Sequence, residues 1–93
     1  TLPTLAKSLQ QIQANKKLAD KTDLLAARRD DKLLPAKDRR GFASRVEGLF
    51  LGGQTAAIEQ KDPKLEKFYK QQEDAAIVQR QALDEQIKND RTD

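Results

Sequence analysis

Carboxyl groups are the most abundant groups in this sequence that could support catalysis, because Asp and Glu serve as general acids and bases. The chain has 15 of them, several in the adjacent pairs Asp30-Asp31, Glu73-Asp74 and Asp84-Glu85. Adjacent residues on a helix point about 100° apart, and each pair has a Lys or Arg within one turn. Mixed charge of this kind is typical of a solvated helix surface. We therefore predict that the protein is not an enzyme.

Other reactive or metal-binding groups are scarce in the sequence. Ser8 and Ser44 have no histidine to activate them, because the chain contains no His. It also contains no Cys, so a disulfide framework and the ordinary ligands of zinc, haem and iron–sulfur centres are missing. Gly52-Gly53 lacks the spacing and the Lys of a phosphate-binding loop. We predict neither a metal nor a cofactor.

A basic cluster between residues 28 and 45 has the charge needed to neutralise the phosphates of a nucleic acid. Its seven members stand against three aspartates, a local excess of +4, and are Arg28, Arg29, Lys32, Lys37, Arg39, Arg40 and Arg45. The interleaved Asp30, Asp31 and Asp38 would repel phosphate, and no base-reading motif is present. A charged surface in contact with solvent is therefore favoured, with nucleic-acid contact, or docking on an acidic protein, as the alternative.

The first predicted helix covers about residues 4–34, which contain neither Gly nor Pro and are mostly good helix formers. Its first half carries an apolar stripe at steps of three and four residues, made by Leu2, Leu5, Leu9 and Ile12. Lys16 and Asp23 interrupt this stripe. Asp20–Asp23 could be a hinge with Thr22 capping a second helix, but one continuous helix is favoured. Pro35 ends the element, because it pushes the preceding residue away from helical geometry.

A shorter helix is predicted over residues 36–51. The clearest apolar face in the sequence, at positions i, i+4, i+7 and i+8, is made by Phe42, Val46, Leu49 and Phe50. We interpret Gly52-Gly53 as the C-terminal stop of this helix, followed by a short turn at residues 56–60. Ser44, Gly48 and Gly52 recur every four residues on another face. They either permit close approach of a second helix or simply weaken a short helix.

The last predicted helix covers residues 62–89. Asp62-Pro63 is the best boundary signal in the chain, an N-cap side chain followed by Pro at the first helical position. Gln72 and Gln79 replace bulky residues in the middle of its apolar face. The larger apolar residues near its ends are Leu65, Phe68, Leu83 and Ile87.

The predicted fold class is all-α: two long amphipathic helices joined by a shorter central helix, in an extended hairpin or an open bundle. No stretch shows the sustained alternation of a strand. The longest apolar run, Leu49–Leu51, is far shorter than the roughly 20 residues that span a bilayer, and it reads more simply as core than as a membrane-surface contact. Because the chain has no Met and two polar ends, we expect one helical segment of a larger protein.

The low fraction of large apolar residues is the basis for the functional prediction. Leu, Ile, Val and Phe make up 21 of the 93 residues, only just above the roughly 20% below which chains tend to stay disordered. We expect marginal stability alone, with further stability from a partner or from self-association. Similar helices, free of Cys and rich in Ala, Gln and Lys, occur in scaffolds, adaptor subunits and internal components of phage particles, an analogy of composition alone.

We therefore predict a structural or assembly segment that packs by helix–helix contacts into a homo-oligomer or a larger complex. The expected contact residues are Leu5, Leu9, Ile12, Phe42, Val46, Leu49, Phe50, Leu65, Phe68, Leu83 and Ile87.

Overall fold

The fold consists of three α-helices, with no strand among residues 2–92. The computed structural model describes the backbone of residues 2–92 and the side chains of residues 9–90. Helix α1 spans Leu2–Arg29, α2 spans Ala36–Glu59 and α3 spans Pro63–Thr92. The all-α prediction, with a central helix shorter than its two neighbours, is confirmed.

Helix α1 is continuous through residues 20–23, so the hinge alternative is wrong. Thr22 does not cap a helix: its hydroxyl donates within α1 to the carbonyls of Leu18 and Ala19, at 3.0 and 2.9 Å. The helix ends at Arg29, five residues before the predicted end at Leu34. The carboxylate of Asp31 accepts a hydrogen bond from the backbone N–H of Leu33 at 3.0 Å. Such a local bond offers the backbone an alternative to the helix.

The prediction that Gly52-Gly53 ends the middle helix is wrong, because α2 continues through both glycines to Glu59. Neither glycine adopts a positive φ, which the left-handed helix stop requires. The predicted turn at residues 56–60 is wrong for the same reason. Packing against neighbouring helices outweighs the low helix propensity of glycine, about 1 kcal/mol per residue relative to Ala.

The stop of α2 lies at Gln60–Asp62 instead. Lys61 has a φ of 57°, its N–H donates to the carbonyl of Ile58, and the N–H of Asp62 donates to the carbonyl of Ala57, both at 3.0 Å. These are the two hydrogen bonds of a Schellman motif, with Lys at the position that usually holds Gly.

Helix α3 then begins as predicted at Pro63, because Asp62 also caps it. The Asp62 carboxylate accepts a hydrogen bond from the backbone N–H of Leu65 at 3.1 Å, and the Asp62 carbonyl accepts one from Glu66 at 3.0 Å. Such a cap contributes about 1 kcal/mol. The tight connection therefore sets α3 directly back against α2.

The three helices form an open array rather than a closed bundle. Helices α1 and α3 both pack against α2, and among the described residues no Cα atoms of α1 and α3 come within 8 Å of each other. The molecule measures 63 × 22 × 12 Å, with a radius of gyration of 16.2 Å. A compact chain of this length has a radius of gyration of about 12 Å.

The core is small and lies mainly between α2 and α3. Its apolar members are Ala43, Val46, Ala57, Tyr69, Ala76 and Leu83. Within residues 9–29, α1 contributes one buried side chain, Thr22, which is polar. The helix that carries the first predicted apolar stripe is thus the one that supplies least to the core.

Candidate interaction surfaces

The predicted contact residues fall into three groups. Val46 and Leu83 are buried within the chain. Leu9, Ile12 and Phe68 are exposed, and the side chain of Leu5 lies outside the described residues. The half-buried members are Phe42, Leu49, Phe50, Leu65 and Ile87. The structure thus separates residues that hold the three helices together from residues whose apolar surface has no cover within the chain.

An ion-pair network joins α2 to α3. Asp84 on α3 accepts from Arg40 Nε at 2.8 Å and from Arg80 Nη1 at 2.6 Å, and Arg80 Nε donates to Glu47 on α2 at 2.6 Å. The bond from Arg40 is the main cause that lowers the pKa of Asp84. The bond to Glu47 is the main cause that raises the pKa of Arg80. These ion pairs therefore connect α2 to α3.

All three helices meet at Gly53. A Cβ atom at this position would lie 2.8 Å from Leu18 Cδ2 and 3.1 Å from two ring carbons of Tyr69. The missing side chain therefore lets a leucine of α1 and a tyrosine of α3 approach the backbone of α2. The Tyr69 hydroxyl donates to Asn15 Oδ1 at 3.2 Å, and this bond links α3 directly to α1. Burial raises the pKa of Tyr69.

Some residues of the basic cluster make contacts within the chain, and the others lie at the surface. Arg39 Nε donates to the carbonyl of Arg29 at 2.7 Å, and Arg29 pairs with Asp30 at 2.9 Å. The bond from Arg29 is the main cause that lowers the pKa of Asp30. Arg40 belongs to the α2–α3 network.

The remaining basic residues border the turn between α1 and α2. Arg28 and Arg45 lie over the ring of Phe42, 5.5 and 5.9 Å from its centroid. Lys32 and Lys37 are exposed. Asp31 and Asp38 line the same cavity as Arg28, Lys37 and Arg45. This part of the surface therefore carries both signs of charge.

A continuous groove, here called the α1–α2 groove, runs along the contact between these two helices. It consists of three neighbouring cavities: Arg45 borders the first and the second, and Gly48 and Leu49 border the second and the third. The central cavity has a volume of about 420 Å³ and an apolar wall made by Leu24, Leu25 and Leu49. Lys21 and Arg45 are the charged residues that line it.

A second set of exposed residues, here called the α3 stripe, runs along α3; one of its members, Ala75, also lines a cavity with Thr22 of α1 and Val46 of α2. Its residues are spaced at alternating steps of three and four, so they share one helix face, and all are exposed: Phe68, Gln71, Ala75, Val78, Ala82 and Glu85. Val78 is 62% exposed and Phe68 50%. The sequence analysis assigned Phe68 to a contact face but did not identify Gln71, Val78, Ala82 or Glu85. The heptad-like spacing is the signal that would have found it.

The described residues form neither a metal site nor a membrane span, and the chain has no match among known proteins. Among the described residues, no group of three or more acidic side chains is placed to hold a metal ion. None of the helices, over the part of the chain that the structure describes, has the length and apolar content to cross a membrane. Comparisons of the chain with protein-family models, with curated proteins and with solved structures each give no match.

Proposed function

We propose that this chain is a non-enzymatic structural or assembly segment that packs by helix–helix contacts into a homo-oligomer or a larger complex. A scaffold or an internal component of a virus particle is the most specific form of this proposal. The observation that carries it is the imbalance between a small core and a large uncovered apolar surface.

The apolar surface is large for a chain of this size. The exposed large side chains are Leu9, Ile12, Leu24, Leu33, Leu51, Ile58, Phe68 and Val78. The chain exposes 7033 Å², whereas a compact folded chain of 10.5 kDa exposes about 5,400 Å². Single exposed apolar residues are normal on a protein surface. The excess of about 1,600 Å², together with eight exposed large apolar side chains among the described residues, supports burial on another chain.

Solution mass and thermal melting test this proposal together. We expect light scattering to give a mass above the 10.5 kDa of one chain, and a melting temperature that rises with protein concentration, because association stabilises the folded state by mass action. If the partner is a different protein, the chain alone will be a monomer with a broad, weakly cooperative melt. A monomer that melts sharply at the same temperature at all concentrations would contradict the proposal.

Nucleic-acid association is the alternative, with less support. Arg29, Arg39 and Arg40 are engaged within the chain, and Asp31 and Asp38 stand among the others. Titration of labelled duplex DNA at two salt concentrations tests it. Affinity that falls steeply with salt would support the alternative, because phosphate contacts release counterions. No binding at low salt would remove it.

A further inference from the structure

The α1–α2 groove has the dimensions and lining of a site for one helix. Along α2 it extends from Lys37 to Ala56, which corresponds to about 28 Å at 1.5 Å per residue. At Gly41, Gly48 and Gly52 no atom lies within 4 Å of where a Cβ would stand, so the backbone of α2 is open to close approach. A helix that lays an apolar face into such a groove is a recurring mode of protein recognition.

The α3 stripe of a second copy matches this groove in length and in side-chain size. From Phe68 to Glu85 it extends about 26 Å. Ala75 and Ala82 are small enough to let the helix backbone approach that of α2. Val78 stands between them, 62% exposed, and is of a size to enter the central cavity of about 420 Å³ beside Leu24 and Leu49.

Near their centres the two surfaces carry opposite net charge. Around the central cavity of the groove the charged residues are Lys21 and Arg45, both basic. On α3 within the span of the stripe, Phe68 to Glu85, the exposed charged residues are Lys70, Asp74 and Glu85, a net charge of −1. Complementary charge of this kind fixes the register of a contact and disfavours wrong partners.

The uncovered area also fits contacts with further copies. A standard-size interface buries about 800 Å² on each partner. The excess surface of this chain relative to a compact fold, about 1,600 Å² over the whole elongated molecule, is comparable with the area that two such contacts bury on one copy.

We propose that the α1–α2 groove of one copy holds the α3 stripe of a second copy. This inference rests on the proposed assembly function and names the partner and the two surfaces. Because the two surfaces are different, the contact is heterologous, so successive copies form a closed ring or an open filament.

Charge reversal with complementation tests the proposal on the full 93-residue chain. The groove variant carries Lys21→Glu and Arg45→Glu, and the stripe variant carries Asp74→Lys and Glu85→Lys. None of these four side chains forms an ion pair within the described residues, and the contact of Arg45 with Phe42 is partly exposed. A matched control, Lys16→Glu with Lys88→Glu, makes the same change in net charge as the groove variant at exposed sites outside both surfaces.

By sedimentation velocity we expect the wild type to exceed the 10.5 kDa monomer. Each reversed variant alone should associate at least about tenfold more weakly, since attractive pairs become repulsive. An equimolar mixture of the two should recover the wild-type assembly, because every groove then meets a stripe of opposite charge. The control should associate like the wild type. Recovery in the mixture would also show that both variants fold.

Several outcomes would overturn this inference. If both reversed variants associate like the wild type, or if the control weakens association equally, the groove and the stripe are not the contact, although the assembly proposal stands. A mixture that stays monomeric while both variants keep their helicity has the same meaning. DNA that binds the wild type but not the groove variant would assign the groove to nucleic acid. A sharply melting wild-type monomer would remove the assembly proposal itself.

Discussion

The contact between α2 and α3 differs in composition from the contact between α1 and α2. Helix α3 places Tyr69, Ala76 and Leu83 in the core, and its Arg80 and Asp84 form ion pairs with α2. Across the α1–α2 contact, among the described residues, the specific polar links are the bond from Arg39 to the carbonyl of Arg29 and the stacking of Arg28 on Phe42.

This difference shows how the open array is held together. The α2–α3 hairpin has a tight capped connection, a buried apolar centre and a charge network. Helix α1 buries a threonine, half-buries Leu18 and Leu25, and leaves Leu9, Ile12 and Leu24 exposed. Segments with few buried apolar contacts open at lower free energy than the rest of a fold. We therefore expect α1 to be the first helix to detach.

Val46→Asp should lower the free energy of unfolding more than any other substitution considered for these two contacts. Val46 is 1% exposed and lines a cavity together with Thr22 of α1 and Ala76 of α3. An unpaired charge there should lower the free energy of unfolding by more than about 3 kcal/mol. Leu49→Asp, in the half-buried wall of the groove, should cost about 1–2 kcal/mol and mainly loosen α1. Urea unfolding of dilute protein measures both, and equal losses would contradict the distinction.

Gly53→Val should destabilise both the α1–α2 and the α2–α3 contact, because all three helices meet at Gly53. The new side chain would overlap Leu18 and the ring of Tyr69, and such overpacking costs about 1–3 kcal/mol. Gly52→Val is the matched control, since no atom lies within 4 Å of its Cβ position. It should stay within about 0.5 kcal/mol of the wild type. Equal stability of the two variants would show that Gly53 is not a close-packing position.

Tyr69→Phe removes one hydrogen bond between α3 and α1 and so tests how firmly α1 is held. The variant keeps the buried ring and loses the hydrogen bond to Asn15, which should cost about 1 kcal/mol. Hydrogen exchange should become faster in α1, while α2 and α3 change little. A double-mutant cycle with Asn15→Ala isolates the pair. Additive effects of the two substitutions would mean that this bond contributes nothing to the docking of α1.

Acid should weaken the α2–α3 contact, with a smaller effect on stability than the substitutions at Val46, Gly53 and Tyr69. Because the Arg40 bond lowers the pKa of Asp84 in the folded state, the stability that Asp84 contributes is present above the unfolded pKa of an aspartate, about 3.9. It is lost as the pH falls through the depressed folded value. Asp84→Asn should therefore melt below the wild type at neutral pH, with a gap that narrows in acid. A gap that is independent of pH would contradict this role.

The sequence predicted the helices better than their ends and faces. Asp62-Pro63 marked the start of α3 correctly, because a cap and a proline act within one turn. Gly52-Gly53 was misread, because the contacts of Gly53 with Leu18 and Tyr69 come from residues far along the chain. The real stop at Lys61 carried no glycine signal. The contact surfaces were found in part: Phe68 and Leu49 were identified, but Leu24, Leu25 and Val78 were not.

Local propensity and residue types were enough to predict the helical class and the spacing of apolar residues along each helix of this chain without His or Cys. The tertiary structure alone decided which of those residues are covered. Of the predicted contact residues, Val46 and Leu83 are buried while Leu9, Ile12 and Phe68 are exposed, because burial depends on where neighbouring helices lie. The carboxyl groups of Asp84 and Glu47, which the sequence showed only as charges, became structural through the approach of α3 to α2.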